Sequence, residues 1–310
     1  MSRTTLWAWA RPLGGVLVLV VVAVRLGGGP FLDGVRAASP AAVVLALAVT
    51  AGTTWCCAAR WSLLAERLDV PVGVGAAYRA CYRSQLLNSV LPGGVLGDVD
   101  RAVQHGRDAG AVGRGLRSVL WDRVSGQVAQ VAMTVAAAPL LPAPLDAIVL
   151  WSSLAAAGFG VVIVLLPAGV GPAVRRELRR APAAAGVWPR VVGLSALAAG
   201  GHVVVFVVAA RASGVDAPVT QLVPLALVVL VAAALPLNVA GWGPREGAAA
   251  AVFAAAGLGG AAGVEVAVTF GVLSFVATLP GLLALGGRAT RPRSVTMVVS
   301  ESRGEEAARV

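Results

Sequence analysis

Two short stretches of the chain, residues 91–101 and 235–246, combine a Leu-Pro pair, glycines and charged side chains of both signs. In each, the proline and glycines should end one helix, and the charged residues suit the first turn of the next. A helix start offers unpaired N–H groups and the positive end of the dipole, and arginine can hold a phosphate through two hydrogen bonds. Both stretches therefore predict an anion site, unless the acid and arginine of each only pair with each other.

A third set of polar residues follows the first stretch. Arg123, Gln127, Gln130 and Thr134 recur at i, i+4, i+7 and i+11, which places them on one face of a helix. A lipid-facing helix would not align four polar groups, so this polar stripe either lines a cavity or bonds to neighbouring helices. The candidate binding residues are Gln85, Asn88, Gly93, Gly94, Gly97, Asp98, Arg101, Asp122, Arg123, Gln127, Asn238, Gly241, Gly243, Arg245 and Glu246.

The composition identifies the class of protein that must position these residues. Of the 310 residues 58% are hydrophobic and 13% are charged, with a mean hydropathy of +0.83. Soluble domains have about 45–50% apolar and about 25% charged residues, so a soluble enzyme, a disordered chain and a disulfide-stapled secreted domain are excluded. The net charge is +10 and comes from arginine alone, which indicates cytoplasmic loops and anionic lipid heads rather than nucleic acid.

Apolar runs separated by glycine and proline clusters predict the membrane spans. The densest basic loop, residues 175–180, belongs in the cytoplasm, and the basic tail does too, so both termini are expected there. The first run resembles a signal peptide, but without a convincing cleavage site it is interpreted as a retained span. We expect a transmembrane domain over residues 1–287 and a disordered cytoplasmic tail over 288–310. The predicted spans are about 12–29, 40–62, 115–141, 146–166, 190–211 and 264–287.

Two broken segments do not fit simple spans. If the flanking spans alternate, residues 76–110 start and finish inside, whereas residues 219–260 start and finish outside. Each is then a peripheral or a re-entrant hairpin, and paired Gly/Pro-broken segments in two halves indicate a transporter-type site. The predicted fold is an all-α polytopic membrane protein of about six spanning helices plus two broken re-entrant helical hairpins in inverted topology.

Residues around the two breaks form a combined motif. It consists of Tyr82, Gln85, Asn88, Pro92, Gly93, Gly97, Asp98 and Arg101, the pair Asp122-Arg123, and the run Gly241-Trp242-Gly243-Pro244-Arg245-Glu246. In these residues the sequence resembles the transmembrane region of lysylphosphatidylglycerol synthases, a flippase-like family that includes stand-alone membrane proteins. One departure is Leu96, where the family often has glycine. The resemblance implies binding or translocation of a phospholipid or polyprenyl-linked lipid.

Relatives that transfer lysine carry a long cytosolic domain after the membrane part. About twenty residues follow the last predicted span here, so we expect no synthesis of aminoacyl-lipid and no enzyme activity. The leading hypothesis is a protein of the cell membrane that holds an anionic phospholipid or polyprenyl-phosphate head group, with Arg101, Arg123 and Arg245 as counter-charges.

Two other functions stay open at this point. One is an intramembrane glycosyl or phosphoryl transferase that uses Asp98 and Asp100 with a divalent ion. The other is a non-catalytic subunit of a cell-envelope enzyme. We expect no cofactor and no metal, since His105 and His202 have no cysteine or carboxylate at ligand spacing. The expected partners are membrane lipids and not nucleic acid. The sequence also leaves a homo-oligomer open.

Overall fold

The computed structural model describes residues 29–91, 94–141, 176–177, 179–234 and 242–285, with only the backbone of residues 30 and 31. These residues contain no strand and nine α-helices of eight residues or more. Short 3₁₀ turns, Ala138–Leu140 and Leu279–Ala284, directly follow the helices that end at Ala137 and Thr278. The helices are α1 Gly29–Arg36, α2 Pro40–Arg67, α3 Val74–Val90, α4 Leu96–Asp108, α5 Val112–Ala137, α6 Trp188–Ala212, α7 Val219–Ala233, α8 Pro244–Ala255 and α9 Gly260–Thr278.

Three of these helices are long and apolar enough to cross a membrane: α2, α6, and α9 together with its 3₁₀ extension. They coincide with the predicted spans at 40–62, 190–211 and 264–287. The predicted span at 115–141 is a continuous helix, α5, whose charged first half keeps it out of that set. The predicted spans at 12–29, except its last residue, and 146–166, and the tail 288–310, lie outside the described residues. The total number of spans and the side of each terminus stay predictions.

Each predicted broken segment consists of two helices that pack as an antiparallel hairpin. In the first hairpin, α3 and α4, the Asn88 side chain accepts a hydrogen bond from the backbone N–H of Gly97 at 2.8 Å, and Arg83 reaches Gln104 at 2.9 Å. In the second hairpin, α7 and α8, Gln221 at the start of α7 donates to the carbonyl of Ala256 at the end of α8. The breaks themselves include residues 92–93 and 235–241, which the structure does not describe. Their entry from opposite membrane faces stays a prediction.

Two apolar clusters lie at opposite ends of the helix bundle. Trp61, Val119 and Val191 belong to the first, which joins the end of α2 to the beginnings of α5 and α6. Phe206 and Phe253 belong to the second, which joins the start of α2 to the ends of α5 and α6 and to α7, α8 and α9. Helices α5 and α6 therefore run parallel, and α2 runs against both. On α5 the candidate residue Gln127 lies between Val124, which packs against the first cluster, and Met133, which packs against the second.

Candidate functional site

Asp98 is the most heavily bonded carboxylate of the first hairpin. It lies in the first turn of α4, as predicted. One carboxylate oxygen accepts from Ser84 and from the guanidinium of Arg101, each at 3.0 Å. The other accepts from Asn88 at 2.7 Å and from Arg123. Asn88 also caps the Gly97 N–H, so the start of α4 already has part of its hydrogen bonding satisfied by the protein.

A second carboxylate, Asp122 on α5, joins α4 to two long helices. It accepts from Arg101 at 3.1 Å and from Arg60 of α2 at 2.7 Å. The Arg60 guanidinium then donates to the hydroxyl of Ser195 on α6 at 2.9 Å. At most 6% of each of the Arg60, Arg101 and Asp122 side chains is exposed, so these ion pairs are shielded from solvent. We call Arg60, Asp98, Arg101, Asp122 and Arg123 the arginine–aspartate cluster.

Neighbouring residues fix the arginines of the cluster. The Arg101 guanidinium lies over the ring of Trp61 at 4.5 Å, a cation–π contact. The indole N–H of Trp61 donates to the hydroxyl of Ser118 at 3.1 Å, which holds the ring in place. Gly126 of α5 lies against the Arg60 guanidinium, and a side chain there would crowd it. The cluster is thus held by packing as well as by charge.

The charges of the cluster do not balance. Three guanidinium groups face two carboxylates, which leaves a formal charge of +1. The Arg123 side chain is 42% exposed, whereas its partner Asp98 is 11% exposed. The surplus charge therefore has access to the space beside the cluster.

That space is a cavity of about 430 Å³, a volume typical of small-molecule sites. All five cluster residues line it, and Gln127 and Gln130 extend the polar lining along α5. The ends of both hairpins contribute as well, since Asn88 of α3 and Ala233 of α7 are part of the wall. The lining thus has one charged end, a polar side along α5 and an apolar patch formed by the end of α7 and Phe270 of α9.

The second break has a different geometry. Both oxygens of Glu246 are used inside its own turn: one accepts from Arg245 at 2.8 and 2.5 Å, and the other caps the N–H of Gly243 at 2.7 Å. Pro244 is the first residue of α8, as predicted. The side chains of Arg245 and Glu246 are 8% and 0% exposed, and Arg245 packs over the rings of Trp242 and Phe270. Here the arginine and the acid satisfy each other.

A comparison with protein families gives a match over most of the chain. The family model described as "Lysylphosphatidylglycerol synthase TM region" matches residues 9–281, a range that includes both hairpins and every residue of the cluster. The chain belongs to this family. It is therefore a membrane protein of a family associated with lipids. Comparisons with curated proteins and with solved structures give no match.

The structure of this family member separates the candidate binding residues into three groups. Eight of them line the cavity: Gln85, Asn88, Gly94, Asp98, Arg101, Asp122, Arg123 and Gln127. Four are described but absent from the described lining of that cavity: Gly97, Gly243, Arg245 and Glu246. Three lie outside the described residues: Gly93, Asn238 and Gly241.

Sequence reasoning missed several polar residues that belong to the site, among them Arg60, Ser84, Ser195 and His202. The sequence contained one signal, because Arg60 is a charged residue inside an apolar run that also holds a predicted span. A charge in such a position requires a partner within the bundle. The two serines and His202 carry no comparable signal.

The two carboxylates proposed for a metal do not converge in this member of the family. Asp98 is bound by the cluster, whereas Asp100 pairs with Arg83 at 3.0 Å and accepts from Gln104 at 2.7 Å. Nor do the described residues contain a group of three His, Cys, Asp or Glu side chains placed to hold an ion. His105 is absent from the described cavity lining and lies edge-on to Trp61 at 5.2 Å.

Proposed function

We propose that the protein binds the phosphate-bearing head group of an anionic lipid in the cavity and passes that lipid between the leaflets of the cell membrane. The family match supports a role in the membrane with lipids. The observation that carries the proposal is the net positive charge of the arginine–aspartate cluster, together with the partial exposure of Arg123 to the cavity.

An anion in the cavity would neutralise the surplus positive charge of the cluster. A net charge away from bulk water is unfavourable unless an opposite charge or strong hydrogen bonds compensate it. Arg123 is the arginine of the cluster with the most exposed side chain, so a phosphate oxygen would bind there, next to Asp98. Gln127 lies one turn further along α5 and would hydrogen-bond the rest of the head group. Acyl chains would stay in the bilayer outside the cavity.

The two hairpins supply a reason for transfer as well as binding. In the proposal the first hairpin enters from the cytoplasmic face and the second from the outer face, with both termini of the chain in the cytoplasm. Asn88 at the end of α3 and Ala233 at the end of α7, which lead to the two tips, line the same cavity. A polar site between two such tips would hold a head group midway across the hydrocarbon layer. The protein then acts as a carrier without catalysis, because the Asp98 carboxylate is engaged by cluster partners.

A leaflet-exchange assay tests the proposal. The purified chain is reconstituted into vesicles that contain fluorescent phosphatidylglycerol, and a membrane-impermeant quencher reports how much label reaches the outer leaflet. We expect Arg123→Gln to abolish protein-dependent exchange. Arg117→Gln is the matched control, since Arg117 lies on the same helix, is 46% exposed and pairs with a carboxylate, Glu177, at 2.7 Å, but lies outside the described cavity lining. Exchange by Arg123→Gln at the rate of the unmodified protein would refute the proposal.

A further inference from the structure

Helix α9 borders the cavity along one face and contacts both hairpins. Phe270, Ser274 and Thr278 recur every four residues on this helix, and all three line the cavity. Phe270 contacts Arg245 of the second hairpin. Thr278, at the other end of the row, lies next to Ser89 near the end of α3 in the first hairpin. The two contacts of α9 can therefore be compared.

The contact of α9 with the second hairpin is closely packed. Gly263 lies against the backbone of Ala249 on α8, where a β-carbon would clash, and Gly271 lies against the guanidinium of Arg245. The two glycines are eight residues apart, which is about 12 Å of helix at 1.5 Å per residue. Helix α8 is therefore packed tightly against α9 over much of its length.

The end of α6 belongs to the same packed unit. Between ring centroids, Phe206 of α6 lies 6.3 Å from Phe253 of α8 and 5.7 Å from Phe270 of α9. The hydroxyl of Ser213, which follows α6, lies 2.9 Å from that of Thr269 on α9. We expect α6, α8 and α9 to move together.

The contact of α9 with the first hairpin is weaker at the cavity. The hydroxyl oxygens of Ser89 and Thr278 lie 3.5 Å apart, which is longer than an ordinary O–H···O hydrogen bond. The Ser89 hydroxyl donates to the carbonyl of Leu86 at 2.8 Å, and the Thr278 hydroxyl donates to that of Phe275 at 2.7 Å. Since a hydroxyl has one hydrogen, separating Ser89 from Thr278 would leave no donor unpaired. We call this contact between Ser89 and Thr278 the α3–α9 seam.

A closely packed point lies next to the α3–α9 seam. Gly281, in the 3₁₀ turn after α9, lies against the backbone carbonyl of Tyr82 on α3, and a β-carbon there would clash. Both seam residues line the cavity, whereas Tyr82 and Gly281 are absent from its described lining. The contact between Tyr82 and Gly281 is therefore placed to act as a pivot outside the cavity.

We infer that the α3–α9 seam is a lateral gate, which opens at Ser89 and Thr278 while the contact between Tyr82 and Gly281 holds. The inference rests on the proposed function and names the part of the cavity wall that admits the head group from the bilayer. Arg101 bonds Asp122, so the first hairpin and α5 would stay together on one side of the gate. Helices α6, α8 and α9 would form the other side.

A disulfide across the seam tests the gate. The full chain with Ser89→Cys/Thr278→Cys is oxidised with copper phenanthroline, since the two side chains already approach each other closely. We expect the disulfide to abolish leaflet exchange of fluorescent phosphatidylglycerol and a reductant to restore it. Phosphatidylglycerol that is loaded in detergent before oxidation should resist displacement by an excess of unlabelled lipid until the disulfide is reduced.

A second pair of hydroxyls on α9 provides the matched control. Ser213→Cys/Thr269→Cys joins α6 to α9, which the inference keeps together, at positions outside the described cavity lining. Its disulfide should leave exchange unchanged. Ser89→Cys alone and Thr278→Cys alone, treated with the same oxidant, control for the native cysteines and should exchange lipid equally before and after oxidation.

The possible results separate the gate from the proposed function. Exchange at the unoxidised rate with the seam disulfide in place overturns the gate but leaves the proposed function standing. Free displacement of the loaded lipid, equal loss of exchange in the control pair, or failure of the seam pair to form a disulfide also overturns the gate. Absence of protein-dependent exchange in the unmodified chain overturns the proposed function, and the gate with it.

Discussion

The two hairpins begin from similar sequences and reach different electrostatic states. Each has a Leu-Pro pair, glycines and a helix start with an acid and an arginine. In the first, Asp98 is shared by Arg101 and Arg123 within a cluster that keeps a charge of +1 and borders a cavity. In the second, Glu246 pairs with Arg245 in its own turn, so neither charge of this pair remains for a ligand. A charged helix start becomes a candidate site only when its neighbours leave the charges unbalanced.

The order of the two charged residues explains much of the difference. Glu246 is the third residue of α8, where it caps Gly243, and Arg245 directly precedes it. Phe270 lies against Arg245 at 5.7 Å and also lines the cavity. This ring therefore lies between the Arg245–Glu246 ion pair and the cavity. In the first hairpin the arginine comes three residues after the acid, and it bonds both that acid, Asp98, and Asp122 of α5.

The largest effect on stability should come from breaking the ion pair between Arg245 and Glu246. Glu246→Leu leaves the buried Arg245 without a counter-charge and the Gly243 N–H without its acceptor, so we expect a loss of about 3–5 kcal/mol in the free energy of unfolding. Thermal unfolding of the detergent-solubilised protein measures it. Arg245→Met combined with Glu246→Gln should recover most of the loss. A melting temperature for Glu246→Leu like that of the unmodified protein would contradict the claim that Arg245 and Glu246 stabilise each other.

A smaller loss of stability should follow from forcing apart the two helices of the first hairpin. Gly97 lies against the backbone carbonyl of Ser84, and a β-carbon at this position would clash with it. Gly97→Ala should therefore lower the free energy of unfolding by about 1–3 kcal/mol, measured by the same melting experiment. Gly75→Ala in α3 is the control because no atom lies within 4 Å of its added carbon, and it should change stability by about 0.5 kcal/mol or less. Equal melting of the two variants would contradict this packing.

The smallest effect is a change of affinity. Asp98→Asn should raise the charge of the cluster to +2 and release Arg123, so binding of phosphatidylglycerol should strengthen by about tenfold or less, as followed by fluorescence competition. Glu246→Gln adds the same charge in the second hairpin but should leave that affinity unchanged, since Glu246 is absent from the described cavity lining. Stronger binding by both variants would show that only the total charge matters.

The sequence predicted the backbone of the first hairpin and much of its chemistry. Proline and glycine between two helix-forming runs indicated the break, and helical spacing placed Arg123 and Gln127 on one face. Both lie at the cavity, as do Asp98 and Asp122. These features are local, since each depends on residues within a few turns of one helix.

The features that the sequence did not predict depend on contacts between distant helices. Arg60 and Asp122 are 62 residues apart, and Arg60 and Ser195 are 135 apart. Helical spacing within one segment cannot show that three helices meet at one level. For the same reason, the sequence alone could not distinguish Arg245, bound within its own turn, from Arg123, exposed at a cavity.

The surplus charge beside the first hairpin is tested most directly by lipid retention. Native mass spectrometry of the purified chain, supplied with equal amounts of phosphatidylglycerol and phosphatidylcholine, compares the unmodified protein with Arg123→Gln and Arg117→Gln. We predict that the unmodified protein and Arg117→Gln retain phosphatidylglycerol preferentially, and that Arg123→Gln shows no preference. A preference that persists in Arg123→Gln, or that disappears equally in Arg117→Gln, would contradict an anion site at Arg123.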